Sequence, residues 1–174
     1  IPLGRLRETK SGAKRASIIL ITKCPKNLSK TARQEISKRI NPLPNQSVFF
    51  TSIAYHKKLL NRQKEKALAS LSSSFFLITG IANPEPLVEF LKEEGKIFEH
   101  LNYPNHHEFK PEEIEEIKKR KQAQTIVTTE KDFGRLESYF SSEELFYLPI
   151  TMEFLEEKEA KEFKTLVASS ITKN

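Results

Sequence analysis

Short, unbroken apolar runs alternate with longer segments of helical character along most of this chain, and that alternation restricts its fold more than any other feature. Residues 17–22, 48–54, 75–79, 97–101, 125–129 and 145–150 read as strands. Such runs suit strands buried on both faces of a parallel sheet. The intervening segments carry helix signals. Ser29 is placed to cap a helix to Ile40, with Ala32, Ile36 and Ile40 recurring every fourth residue. Asn83 is a candidate N-cap with Pro84 at the first helical position, and Gly95 is the matching stop. Pro111 opens a helix to about Lys121, and further helices are expected over 131–140 and 157–169. The expectation is an α/β fold: a layered, mostly parallel sheet with flanking helices. Residues 1–15 read as basic and irregular, 56–73 as a connector between lobes, and 102–110 as a loop.

Composition narrows the class. With 37% hydrophobic and 30% charged residues in 174, the chain reads as soluble and globular, with enough length to bury a core. No apolar run approaches the roughly 20 residues that span a bilayer. Residues 1–10 carry charges and lack the apolar stretch of a signal peptide. Because the first residue is Ile1, the gene is expected to begin further upstream. The single cysteine, Cys24, excludes an intrachain disulfide and is compatible with a reducing compartment. Set between Lys23 and Pro25 just past a strand, it reads as a packing residue before a nucleophile.

The net charge of +6 is unevenly placed. Residues 1–40 hold eleven Lys/Arg against two Glu, and the remainder is slightly acidic. A basic segment of this kind attracts phosphates, nucleic acid or an anionic membrane surface, or is a solvated face. The charge run over 112–121 has a structural explanation. Its glutamates stand near a helix N-terminus and its Lys/Arg near the C-terminus, with Glu115–Lys119 and Glu116–Arg120 at i,i+4 spacing. Asp132 is the only aspartate, so the chain is not expected to hold magnesium by itself. Ser11-Gly12-Ala13-Lys14 is not a phosphate loop: the first glycine, the hydroxyl residue after Lys14 and a preceding strand are all missing. No GxGxxG follows a strand, which argues against a dinucleotide enzyme, and no RNA- or DNA-binding motif is present.

Ligands of open α/β sheets bind beyond the carboxyl ends of the strands. Three polar segments follow strands here: Thr79-Gly80-Ile81-Ala82-Asn83-Pro84, Asn105-His106-His107, and Thr129-Glu130-Lys131-Asp132. A parallel sheet brings all three to one edge. Adjacent histidines seldom share a metal, and no zinc-spaced Cys/His set accompanies them; one histidine near a hydroxyl suffices for a general base. Thr129 to Asp132 serve a ligand or simply begin a helix. Arg5 and Arg7, in Gly4-Arg5-Leu6-Arg7-Glu8, are candidates for gripping phosphate oxygens.

Taken in order, these segments resemble the tetraacyldisaccharide 4'-kinase family. Leu3-Gly4-Arg5-Leu6-Arg7-Glu8 is similar to that family's PxGxLRE segment and is followed by the strand of Lys14 to Lys23 (KRASIILITK). Gly80-Ile81-Ala82-Asn83-Pro84 is similar to its GIAxP turn, and Tyr103-Pro104-Asn105-His106-His107-Glu108-Phe109 to its FPDHHxF loop. Thr128-Thr129-Glu130-Lys131-Asp132 matches TTEKD, and Leu148-Pro149-Ile150 the closing LPI strand. The likeness covers about residues 1–150.

The resemblance implies an ATP- and Mg2+-dependent kinase that phosphorylates the 4'-hydroxyl of the lipid A disaccharide 1-phosphate precursor. The place implied is the cytoplasmic face of the bacterial inner membrane, held there peripherally by an N-terminal segment, with no nucleic acid as partner. It implies two α/β lobes. Residues 1–50 complete a P-loop-kinase-like first lobe, 51–73 form a hinge, and 74–174 form a smaller Rossmann-like second lobe. ATP and Mg2+ fall mainly to a part upstream of Ile1. His106 corresponds to the histidine that activates the sugar hydroxyl. Arg7 corresponds to a phosphate contact and Glu8 to a residue near magnesium, acting through water. Arg5, Asn105 and His107 are assigned to substrate binding, while Thr129, Glu130, Lys131 and Asp132 match a cleft motif of unassigned role. Asn105 stands where the family usually has Asp; an amide orients an imidazole but stabilises an imidazolium less well. The competing expectation is a basic α/β module that binds nucleic acid or a phospholigand without catalysis.

Overall fold

The computed structural model describes residues 10–71, 74–122 and 124–171. Arg5, Arg7 and Glu8 lie outside the described residues. The chain divides into two compact units, one built from the chain up to Ala54 together with the segment from Met152, the other spanning Tyr55–Thr151.

The first unit carries a three-stranded sheet ordered β1 (Ile18–Ile21), β2 (Ser47–Tyr55) and β9 (Ile150–Phe154). β1 and β2 are parallel, joined by helix α1 (Lys30–Ile40). Ser29 caps that helix as its sequence suggests, its hydroxyl accepting from Ala32 N at 3.1 Å. Asn41 ends it in the left-handed region at φ 51°. The final helix, α5 (Glu157–Ile171), packs in this unit. Phe163 meets Phe49 edge-on at 5.5 Å and Phe154 at 5.1 Å. The resemblance places this helix in the second lobe; its aromatic partners are on β2 and β9 instead. Ser11-Gly12-Ala13-Lys14 lies within a 3-10 helix, Lys10–Arg15. Cys24 is a packing residue: its thiol donates to Ile21 O at 3.6 Å, and burial pushes its pKa up.

The second unit contains a six-stranded sheet. Its order is β4 (Glu65–Ala67), β3 (Lys58–Leu60), β8 (Leu145–Leu148), β7 (Ile126–Thr129), β5 (Phe75–Thr79), β6 (Phe98–Asn102). The last four run parallel, and β3 is antiparallel to both β4 and β8. The stretch expected to be an irregular connector thus holds a short hairpin. The strand expected over 145–150 is interrupted at Pro149, which has no N–H to continue a ladder, so that β8 and β9 belong to different sheets.

The apolar run of β5 is buried throughout and splits its residues between two cores by the period-two rule. Phe75 and Leu77 join Leu87 and Leu91 of α2 (Glu85–Glu93). Phe76 and Ile78 join Ile114 and Ile117 of α3 (Pro111–Lys121), with Phe133 and Leu136 of α4 (Glu130–Leu136). Pro84, not Asn83, occupies the N-cap of α2 and makes no side-chain cap. Of the two i,i+4 pairs expected on α3, Glu116–Arg120 is present at 3.4 Å, while Glu115 pairs with Lys118 instead of Lys119. Near the C-terminus of α3, Lys121 buries its ammonium against Glu144 at 2.5 Å.

Candidate functional site

β5 leads to a helix on one face of the second sheet, and its neighbour β7 leads to a helix on the other face. Adjacent parallel strands whose connections diverge leave a crevice at their carboxyl ends, the usual ligand position in such sheets. The polar segments after β5, β6 and β7 all reach this edge.

Asp132 joins them. It is fully buried, and its carboxylate accepts from Gly80 N at 2.8 Å, Thr129 Oγ1 at 2.8 Å and Arg135 Nη1 at 2.9 Å. Thr129 caps α4 and accepts from Asp132 N at 3.2 Å. A buried carboxylate left without donors would be strongly disfavoured; here hydrogen bonds and one cation meet that requirement. Gly80 has a steric reason to lack a side chain. A Cβ there would lie 3.1 Å from Asp132 Oδ1 and 3.4 Å from the Pro104 carbonyl. Gly80 O in turn accepts from His106 N at 3.0 Å, which fixes the loop after β6 to the end of β5. The TTEKD segment is therefore a helix start, one of the two readings the sequence left side by side, and it also ties the loops together.

The two histidines diverge. His107 stacks on Tyr103 at 4.7 Å, meets Phe109 edge-on and hydrogen-bonds Glu113 at 2.9 Å. The Lys110 N–H and then His107 hold the Glu113 carboxyl below its ordinary value. These contacts pack His107 against its own loop and the first turn of α3. His106 takes a left-handed backbone conformation, φ 65°, and is exposed. Its Nε2 lies 3.3 Å from Lys131 Nζ, and its Nδ1 lies 3.3 Å from Arg135 Nη2. Lys131 also donates to Asn105 Oδ1 at 3.1 Å. Glu130 is exposed in the first turn of α4.

One participant was not singled out from sequence. Arg135 links Asp132 to His106; its signal is the i,i+4 spacing from Lys131, which puts both cations on one helix face. Thr79, buried at the end of β5, meets His100 Nε2 at 2.8 Å and Asn102 Oδ1 at 3.2 Å. Burial lowers the His100 pKa, so this side of the edge favours a neutral imidazole. Among the described residues no group of three His, Cys, Asp or Glu is placed to hold a metal ion, and the Asp132 carboxylate is already committed to protein donors.

A model of the family "Tetraacyldisaccharide-1-P 4'-kinase" matches residues 1–171. The tetraacyldisaccharide 4'-kinase of Flavobacterium johnsoniae is 40% identical over 156 residues, covering 89% of this chain and 45% of that protein. That of Flavobacterium psychrophilum is 40% identical over 177 residues, covering 99% and 51%. That of Bacteroides thetaiotaomicron is 35% identical, covering 92% and 48%. The chain spans about half the length of the curated relatives it matches. Among solved structures, LpxK from Aquifex aeolicus in complex with ATP has a similar fold, with a TM-score of 0.57 at 18% identity, over 96% of this chain and 47% of that one.

Proposed function

We propose, from the premise that this chain belongs to the tetraacyldisaccharide-1-P 4'-kinase family, that it forms the acceptor-facing part of an ATP-dependent kinase acting on the 4'-hydroxyl of a lipid A disaccharide 1-phosphate. The observation that carries this reading is the convergence of Gly80, Asn105-His106 and Thr129–Asp132 at the carboxyl edge of one parallel sheet, with His106 exposed between two cations.

Phosphoryl transfer needs positioning and charge neutralisation above all. In this reading His106 receives the proton of the sugar hydroxyl, and Lys131 and Arg135 supply positive charge beside it. Asp132 and Gly80 keep the loops in register. We assign a phosphate contact to Arg7 and a water-mediated metal contact to Glu8, as the family resemblance implies. No described helix is long and apolar enough to cross a membrane; we assign the protein to the inner-membrane surface, held peripherally by the N-terminal segment that the resemblance implies.

The test is a phosphoryl-transfer assay of the whole gene product with ATP, magnesium and the disaccharide 1-phosphate lipid, with the 174-residue chain as control. Transfer by the whole product and none by the chain alone supports the reading. A folded whole product that transfers nothing overturns it and brings forward the phospholigand-binding module.

A further inference from the structure

The cluster around His106 has more hydrogen-bond donors than acceptors. An ammonium and a guanidinium only donate, and a neutral imidazole offers one lone pair. Lys131 Nζ faces Nε2 and Arg135 Nη2 faces Nδ1, each at 3.3 Å. One ring nitrogen therefore turns an N–H toward a cationic donor. Asn105 Oδ1 accepts one Lys131 N–H, and Asp132 Oδ1 accepts from Arg135 Nη1, but among the described residues no group between the two cations accepts from both. The arrangement is held from beneath. Buried Asp132 fixes the Arg135 guanidinium and is itself fixed by Gly80 and Thr129. The loop bearing His106 is tied to Gly80 O.

We infer that Lys131 and Arg135, beside His106, form a subsite for a phosphate monoester. This rests on the kinase reading only for the source of the phosphate, either the 1-phosphate of the acceptor or the terminal phosphate of the nucleotide. Several oxygens on one tetrahedral anion accept from both cations at once, Arg135 by its fork and Lys131 as a point charge. Drawing both cations onto the anion also frees the imidazole to meet a hydroxyl.

Binding of inorganic phosphate is followed first, through the ring nitrogen resonances of His106 in the full chain. A saturable shift is expected in the wild type. Lys131→Met is expected to weaken it by about tenfold, the loss of one charge-assisted contact. Arg135→Gln does the same but releases a buried carboxylate, so Lys131→Met, whose contacts are at the surface, remains decisive if that variant unfolds. Lys118→Met on α3 serves as the control and leaves the shift intact. A His106 shift that is absent, or unchanged in Lys131→Met, overturns the subsite.

In the whole gene product, a KM rise in Lys131→Met for the acceptor alone supports the subsite and assigns it to the acceptor's phosphate. A rise for ATP, or a fall in kcat alone, supports it as the site of the transferring phosphate. Kinetics identical to wild type overturn it while leaving the kinase reading intact. Phosphate binding in a product that transfers nothing would separate the two in the other direction.

Discussion

The carboxylate of Asp132 accepts the backbone N–H of Gly80 at 2.8 Å, although 52 residues separate them. This bond joins the loop after β5 to the first turn of α4 across the crevice where the sheet's connections diverge. Removing the carboxylate leaves a buried N–H without an acceptor and a guanidinium without its partner. Asp132→Ala is expected to cost about 2–4 kcal/mol, and Asp132→Asn less, because an amide oxygen still accepts. Urea denaturation of the purified chain measures both. A loss below about 0.5 kcal/mol in Asp132→Ala, the scale of an ordinary surface change, would contradict this role.

Gly80→Ala tests the same contact from the other side. Its Cβ would meet Asp132 Oδ1 at 3.1 Å, so either the carboxylate or the loop must shift. The expected cost is about 1–3 kcal/mol, the range for overpacking a filled site. Because both variants disturb one contact, the double variant Gly80→Ala/Asp132→Ala should be less destabilised than the sum of the two. Additive losses would show that the two residues act independently.

The histidines give opposite expectations. On the proposed kinase reading, His106→Ala in the whole gene product should lower turnover by about 100-fold or more, the size of a general-base contribution. An effect under about 3-fold would remove it from catalysis. His107→Ala should instead act on stability, through lost stacking on Tyr103 and the lost bond to Glu113, with turnover of the folded fraction little changed.

Acid sensitivity is expected from Glu144. Its pKa is lowered from 4.5 to about 2, first by the Lys121 side chain and then by the hydroxyl and N–H of Ser141. A carboxyl whose folded value lies below its unfolded one stabilises the fold above the unfolded value, and that contribution disappears as pH falls through the folded one. The contribution should therefore be complete above about pH 5 and fade between 4.5 and about 2. Its size is modest because Glu144 is 38% exposed and screened by solvent. Denaturation midpoints between pH 6 and pH 2.5 should fall less steeply in Glu144→Gln than in wild type; parallel slopes would dissociate the pair from acid stability.

Much of this architecture was legible locally. The apolar run of β5 announces a strand buried on both faces, and Ser29 announces the start of α1, because burial periodicity and capping depend on residues a few positions apart. The meeting of three polar segments at one edge followed from parallel topology alone. Other features were not legible. Ile150 begins a strand of the other sheet because Pro149 interrupts the ladder and Leu155 N finds Phe50 O at 3.0 Å. The hairpin of β3 and β4 hides in a stretch whose composition reads as a connector. Arg135 carried no motif to draw notice, and its importance comes from what Asp132 and His106 place around it.

The sequence by itself determined most of the elements and the α/β class, since these are written in spacings of a few residues, and the order of its motifs carried the family resemblance. Only the tertiary structure decided which histidine is exposed. A positive φ and a bond to Gly80 O leave His106 at the surface, whereas Tyr103, Phe109 and Glu113 enclose His107. It also decided that the sole aspartate accepts a distant N–H, and that α5 packs with β2. Each of these outcomes depends on surfaces far apart in the chain meeting in three dimensions, where packing and hydrogen-bond satisfaction select among partners that no local pattern distinguishes.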